Sequence, residues 1–297
     1  MNRFEFGVLV YSLREDIRRT QADLAERSGI DVSVISCIER GVRKGLLKDN
    51  VLMKLAQGLQ LTSLERREFL FAASGVADQE TPRKDDDGGR KMKKFDANAF
   101  LLDLGEQISR IALPVFVTDS FCDVILANRC AIEFYYIPHS MLLNAKDMIG
   151  GHNQARYIFH PDSKFQELFR DDWENQAIIH LRYFRRRTLR FRATQYYSKL
   201  MKELLDNKKY PLFEKYWQKM LFEPHDDYFH PIQKPNSKDA HAFIEVDSLL
   251  ALTQYGELYL HQASPLNKKT AKRIETIYNK VGEGYAQFTS FPDKRKF

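Results

Sequence analysis

Few stretches of this chain gather reactive side chains, and each stops short of a catalytic or metal-binding pattern. The densest is Glu223-Pro-His225-Asp226-Asp227-Tyr-Phe-His230-Pro231, where two histidines and two aspartates lie close together. Proline at both ends and the lack of an i, i+4 histidine pair argue for an irregular loop, so no metal site is expected. Cys37, Cys122 and Cys130 form no CxxC pair and have no histidine at ligand spacing. No haem or flavin attachment motif is present, and no cofactor is expected. GxSxG, HExxH, GxxxxGK and GxGxxG are all missing and the carboxylates are scattered, so the chain is not expected to be an enzyme. Arg182-Tyr-Phe-Arg-Arg-Arg187 and Leu189-Arg-Phe-Arg192 put six arginines into eleven residues. They could meet DNA or another polyanion, but a solvated helix end is the expectation.

The stretch that remains is TQADLAERSGIDVSVISCIERG, residues 20–41. Two short amphipathic runs flank one Gly-Ile-Asp break. Helices below roughly 12 residues are marginal alone in water, so both must be packed on others. Thr20 caps the first run and Asp31 the second, and Gly41 ends it. A short glycine-containing turn between two such helices is a helix-turn-helix signature. The first helix, through Ala22, Leu24 and Ala25, would hold the second at a steep angle. The second could then enter a major groove about 12 Å wide. It would bury Val34, Ile35 and Ile38 and present Val32, Ser33, Ser36, Cys37 and Arg40. Val32 suits a thymine methyl, and serines bond either type of base. The Gln, Asn or Arg of bidentate base contacts are missing there, so affinity per half-site should be modest and a homodimer should supply the rest.

These helices need a scaffold. Apolar positions Phe6, Leu9, Val10 and Leu13, then Val51, Leu52 and Leu55, then Leu64, Phe69 and Leu70 give three more helices. Residues 1–75 thus form an all-helical domain. Residues 76–94, VADQETPRKDDDGGRKMKK, bury almost nothing and read as a linker. From 95 to 297 the pattern changes. Two apolar runs, 114–119 and 123–128, read as a hairpin. Helices fill about 162–221, strands run over 242–252 and 256–262, and a final helix carries Ile274, Ile277, Tyr278 and Val281. Strands at both ends of this region imply one α+β domain with a sheet assembled from distant pairs. A hydrophobic content of 43% supports real cores, and a net charge of +6 leans mildly toward polyanions. No signal peptide and no stretch of about 18 apolar residues is seen, so a cytoplasmic protein with no membrane partner is expected.

Thr20-Gln-Ala-Asp-Leu-Ala25, Gly29-Ile30, Ile35-Ser36, Ile38-Glu39-Arg40-Gly41 and Leu55-Ala56 resemble the Xre, phage-repressor type of helix-turn-helix over about residues 5–74. The resemblance implies a transcription regulator bound to a double-stranded DNA operator. It implies that Gln21 holds a phosphate and that Val32, Ser33, Ser36 and Cys37 read base edges. It further implies that Arg14 pairs with Glu39. Arg40, Arg43 and Lys44 would meet the backbone.

Leu113-Pro-Val-Phe-Val-Thr-Asp119 and Val124-Ile-Leu-Ala-Asn128 resemble the start of a PAS domain, where an asparagine caps a helix and bonds across the turn. With Asn153-Gln-Ala-Arg156, Phe159-His-Pro161, Asp172-Trp173-Glu174 and Phe213-Glu-Lys-Tyr-Trp217, residues 98–265 resemble the MmyB-like ligand-binding domain. The fold class expected is therefore an all-α helix-turn-helix domain followed by an α+β, PAS-like domain with an antiparallel sheet and a helical insertion. The resemblance implies a sensor of a small apolar ligand, a fatty acid or acyl derivative. Phe116, Asn128, Phe134, Phe159, Trp173 and Trp217 are candidate ligand residues, and Arg156 could fork onto a carboxylate. The same aromatics could simply form a core. The alternative is a ligand-free dimerisation or protein-interaction module.

Overall fold

The computed structural model describes residues 1–43, 47–80, 96–143, 145, 148–169, 172–222, 232–233, 242–253, 256–289 and 291. These fall into two compact units. The first holds the described residues of Met1–Lys93, Arg185–Ser198 and Gln218–Tyr228; the second holds those of Lys94–Phe184, Lys199–Trp217 and Phe229–Phe297.

The first unit begins with α1 (Arg3–Asp16), α2 (Gln21–Ser28), α3 (Val32–Glu39), α4 (Asp49–Gly58) and α5 (Ser63–Glu80). Local chemistry sets most of the ends. Asn2 with Glu5, and Thr20 with Asp23, form capping boxes at α1 and α2. Gly29 ends α2 at φ +60°, a left-handed conformation that costs glycine little. The Asp31 carboxylate accepts from the Ser33 amide at 2.7 Å and starts α3, so this acid is used as a cap. Leu9, Val10, Leu13, Leu24, Ile35, Leu55, Leu59 and Phe69 are fully buried together. The helix α5 continues to Glu80, into the stretch read from the sequence as linker; the charged remainder, 81–95, lies outside the described residues.

The arginine-rich stretch departs from expectation. Arg185, Arg187 and Arg192 are buried, not solvated. Within the first unit Arg185 pairs with Glu65, Arg192 with Asp16 at 2.5 Å, and Arg190 with Glu68 at 2.8 Å. Leu189, on a single 3-10 turn, joins the same hydrophobic core. Burial, with Arg192 close by, pulls the Arg185 guanidinium down to about 10, which still leaves it charged at neutral pH. Carboxylates on α1 and α5 make that charge tolerable, because a buried ion is stable only when paired.

The second unit starts with α6 (Ala97–Ser109), capped by Asp96. A six-stranded antiparallel sheet follows, made of β1 (Val115–Thr118), β2 (Val124–Asn128), β3 (Ile232–Gln233), β4 (Phe243–Thr253), β5 (Gly256–Pro265) and β6 (Tyr285–Gln287), in the order β3-β4-β5-β1-β2-β6. The hairpin of β1 and β2 forms as expected and is completed by strands from the far end of the chain: β1 pairs with β5, and β2 with β6. One face of the sheet packs Val115, Val117, Ile125 and Leu258 against Leu101, Leu104 and Ile108 of α6. Between β2 and β3 come α7 (Arg129–Phe134), α8 (His139–Leu143), α9 (Gln154–Phe159), α10 (Phe165–Phe169), α11 (Trp173–Thr188), α12 (Gln195–Leu204) and α13 (Phe213–Phe222). After β5, α14 (Lys268–Val281) packs on α7 and β5.

Asn128 fastens the junction of these parts. Its Oδ1 accepts from the amides of Ala131 at 2.8 Å and Val115 at 3.1 Å. Its Nδ2 faces the carbonyls of Leu113, Ile111 and Ile108 at 2.8, 3.0 and 3.3 Å. One buried amide thus caps α7, closes the end of α6 and starts β1. Asn128→Ala should cost at least about 3 kcal/mol in a urea titration, since several buried backbone groups lose partners at once. Asn128→Asp should cost as much or more, because it turns an acceptor toward three carbonyls; a near-neutral aspartate would refute this role.

Candidate DNA-reading helix and ligand cavity

In the first unit α3 is gripped from one side. Gly7 of α1 lies so close to its end that an added Cβ would sit 2.5 Å from the carbonyl oxygens of Ile38 and Glu39. Beside that contact, Arg14 Nε donates to Glu39 Oε1 at 2.7 Å and Arg14 Nη2 to Oε2 at 3.1 Å. Both side chains are buried. The Glu39 bond is the main reason the Arg14 guanidinium is held above its usual range, against the effect of burial. Gln21 Nε2 adds a bond to Glu39 Oε2 at 2.7 Å, and Arg14 Nη1 reaches the Arg19 carbonyl at 2.5 Å. The pairing of Arg14 with Glu39 is as the sequence implied, and Gln21 is tied into it.

With that side fixed, the other side of α3 is presented. Val32 is 44% exposed, Ser33 and Arg40 are exposed, and Ser36 and Cys37 are half-buried. Arg40 leans back along its own helix, its Nε 3.4 Å from the Ser36 carbonyl. Arg43 is half-buried, and its carbonyl accepts from Arg3 at 3.1 Å. Lys44 lies outside the described residues. A short row of small and apolar side chains with a cation at one end can lie against base edges and a neighbouring phosphate.

In the second unit, the sheet face opposite α6 carries Phe116, Thr118, His261, Glu245 and Phe243 by strand alternation and register. Small residues there, Ala127 on β2 and Ala131 on α7, leave room. A cavity of about 570 Å³, including space open to solvent, is lined by them with Phe116, Val124, Tyr135, Ile137, Pro138, Gln154, Tyr157, Ile158, Ser163, Phe165, His180 and Glu245. Phe116 stacks on His261 at 4.5 Å. Tyr135 donates to Glu245 Oε2 at 2.8 Å, and burial, reinforced by Glu245, pushes its phenol well above the usual range. His261 Nδ1 lies 3.5 Å from Glu245 Oε1, with its Nε2 at 2.9 Å from Thr118 Oγ1. Burial opposes the Glu245 charge, but His261, His180 and the Tyr135 hydroxyl outweigh it and hold the carboxyl below its usual range.

The other candidate ligand residues are distributed differently. Phe134 is fully buried against Tyr135 and Phe243, at 5.1 Å from each. The Asn128 amide serves the backbone groups named above. Arg156 is buried with Nη1 on the carbonyls of Met141, at 3.0 Å, and Gly151, at 2.5 Å. Phe159, Trp173 and Trp217 meet around Phe213: Phe159 is 5.9 Å from Trp173 and 5.3 Å from Phe213, and Trp217 stacks on Phe213 at 5.9 Å. Of the seven, Phe116 lines the cavity. Sequence reasoning missed His180 and Glu245. A signal for Glu245 existed: it shares strand parity with Phe243, so it is an acid on an inward face. The motif around His225 and His230 lies outside the described residues; among those described, no cluster of metal-ligating side chains occurs.

A helical head with a presented helix, joined in one chain to an α+β unit with an apolar cavity, defines a DNA-binding transcription regulator with a ligand-binding domain. Comparison with known families agrees: a helix-turn-helix model matches residues 10–66, and the model of the MmyB-like transcription regulator ligand binding domain matches residues 108–277, more than half of the chain. The chain belongs to that MmyB-like family. No curated protein matches it. Both matched families are regulatory, and among the described residues no helix is long and apolar enough to cross a membrane.

Arg14→Met should destabilise the head by about 3–5 kcal/mol, because it strands the Glu39 carboxylate in the interior. The double variant Arg14→Met/Glu39→Met should recover most of that loss in the same denaturant titration. Additive losses in the double variant would show that the two side chains act independently.

Proposed function

We propose that this regulator binds a roughly palindromic operator as a homodimer, with the outer side of α3 in the major groove. We propose further that its PAS-like second unit senses a small apolar ligand, a fatty acid or acyl derivative. On this reading Val32, Ser33, Ser36 and Cys37 face base edges, and Arg40 and Arg43 face phosphates. A ligand changes operator affinity only as far as it binds one arrangement of the protein more tightly than another.

The observation that carries the sensor reading is the cavity. Its wall is largely Phe116, Val124, Ala127, Ala131, Ile137 and Ile158, an apolar lining with a few polar groups, as small-molecule sites have. That supports a ligand-binding unit over a module used only for protein contact. Native mass spectrometry after gentle extraction should show a co-purifying apolar species, and Ala131→Phe should remove it while the protein stays folded. A clean apo mass in the wild type, with no apolar compound taken up on addition, would refute the sensor.

For the head, a duplex enriched from a random pool serves as the operator. Ser36→Glu should weaken binding to it by about 2 kcal/mol, roughly 30-fold. Arg40→Ala should reduce the salt slope of binding by about 1. Unchanged affinity and slope in both variants would rule out the docking.

A further inference from the structure

The polar groups of the cavity wall differ in what is left to them. Tyr135 donates to Glu245, Tyr157 stands 2.7 Å from His152 Nδ1, and the Ser163 hydroxyl donates to the Tyr157 carbonyl. Among the described lining residues none is lysine or arginine. Arg156 lies outside the lining, with Nη1 on two backbone carbonyls. His180 is different. Its Nδ1 donates to the Gln176 carbonyl at 2.7 Å, and its ring stands edge-on to Phe165 at 5.7 Å. The ring is half-buried on the cavity wall, and its Nε2 has no partner among the described residues. A proton on Nδ1 fits the neutral and the charged ring alike. In the neutral ring Nε2 only accepts; in the charged ring it donates, and the ring is a cation.

That difference decides how an acyl chain ending in a carboxylate is received. Glu245 already places one negative charge on the wall, with its side chain 16% exposed. A second carboxylate beside a neutral His180 would meet like charge, which is costly where water is scarce. A charged His180 supplies both the opposite charge and an Nε2 donor. We propose that His180 receives the carboxylate of an acid-headed acyl ligand, and that it does so with its ring protonated. This rests on the reading of the cavity as the ligand site and names the group that holds the head. The other titratable groups of the site are placed differently. Tyr135 on α7 and Tyr157 on α9 keep their protons, since burial pushes both phenols up. Glu245 on β4 stays ionised, its carboxyl held below the usual range. His261 on β5 is buried outside the lining, with Nε2 2.9 Å from Thr118 Oγ1. An imidazole changes charge between about pH 5 and 8. Affinity for a carboxylate head is therefore highest on the acid side of that range and is lost as pH rises. A neutral head has no such dependence.

The test uses the full-length protein with decanoate and decanamide, acyl chains of equal length that differ in the charge of the head. Each is titrated calorimetrically below its aggregation concentration. Decanoate, which is ionised in water throughout, should bind at least about tenfold more tightly at pH 6 than at pH 8, and decanamide equally at both. At pH 8, titration in two buffers of different ionisation enthalpy should show uptake of about half a proton or more per decanoate bound and none per decanamide. Folded His180→Gln should bind decanoate weakly, and equally at both pH values. In the wild type alone, a decanoate affinity independent of pH, or binding without proton uptake, would overturn the proposal. So would a pH dependence that persists in His180→Gln, since the proton would then sit on the ligand's own carboxyl or on His261. If decanamide binds and decanoate breaks this pattern, the cavity reading survives and the His180 assignment fails; if neither binds, both fail.

Discussion

The buried pair of Arg14 and Glu39 is the constraint on which the proposed DNA-reading surface depends. Two charges have left water at the point where α1 crosses the end of α3. Their bidentate geometry offsets the desolvation, and Gln21 satisfies a further lone pair. The pair has little reason to add much net stability, because a well-packed apolar pair could do as well. What it supplies is position. Gly7 lets the backbones touch, and the fork fixes the rotation of α3 about its axis. Ile35 and Ile38 then face the core while Val32, Ser33 and Arg40 face outward.

The cavity obeys a different economy. The inward face of the sheet mixes aromatic and polar side chains, Phe116 and Thr118 on β1 and Phe243 and Glu245 on β4, and two alanines, Ala127 and Ala131, stand where larger side chains would have closed the space. The void is lined by side chains with fixed partners: Phe116 on His261, Tyr135 on Glu245, Tyr157 on His152. Such a site is shaped before a ligand arrives, which reduces the entropy lost on binding. Tyr135 and His261 stand at the two oxygens of the Glu245 carboxylate and, with His180, sustain its charge against burial.

Much of the fold could be read from the chain because it rests on local chemistry. Thr20, Gly29 and Asp31 mark the helix ends around the turn, and Asn128 marks a cap that also bonds across to β1. Helical spacing gave Ile274 and Ile277, which are buried on α14. What escaped notice depends on partners far away in sequence. Nothing near Arg185 and Arg192 indicates that Glu65 and Asp16 will neutralise them, so a run that looks solvated is buried. Nothing near Tyr285 announces that three residues will add a strand beside β2. Aromatic content alone did not separate Phe116, on the cavity wall, from Phe159, Trp173 and Trp217, which pack around Phe213. That division is set by which face of which element each occupies, and only the assembled unit fixes it.

The central claim is that the outer side of α3 is the surface that meets duplex DNA. Cys37 tests it without any substitution, since Cys122 and Cys130 are buried and the α3 thiol is the accessible one of the three. The measurement is the alkylation rate of Cys37, followed by mass spectrometry of its peptide, with and without a saturating selected duplex. The account predicts that bound duplex slows modification by about tenfold or more, as expected for a thiol enclosed in a groove about 12 Å wide. An unchanged rate on protein shown to be fully DNA-bound would contradict it.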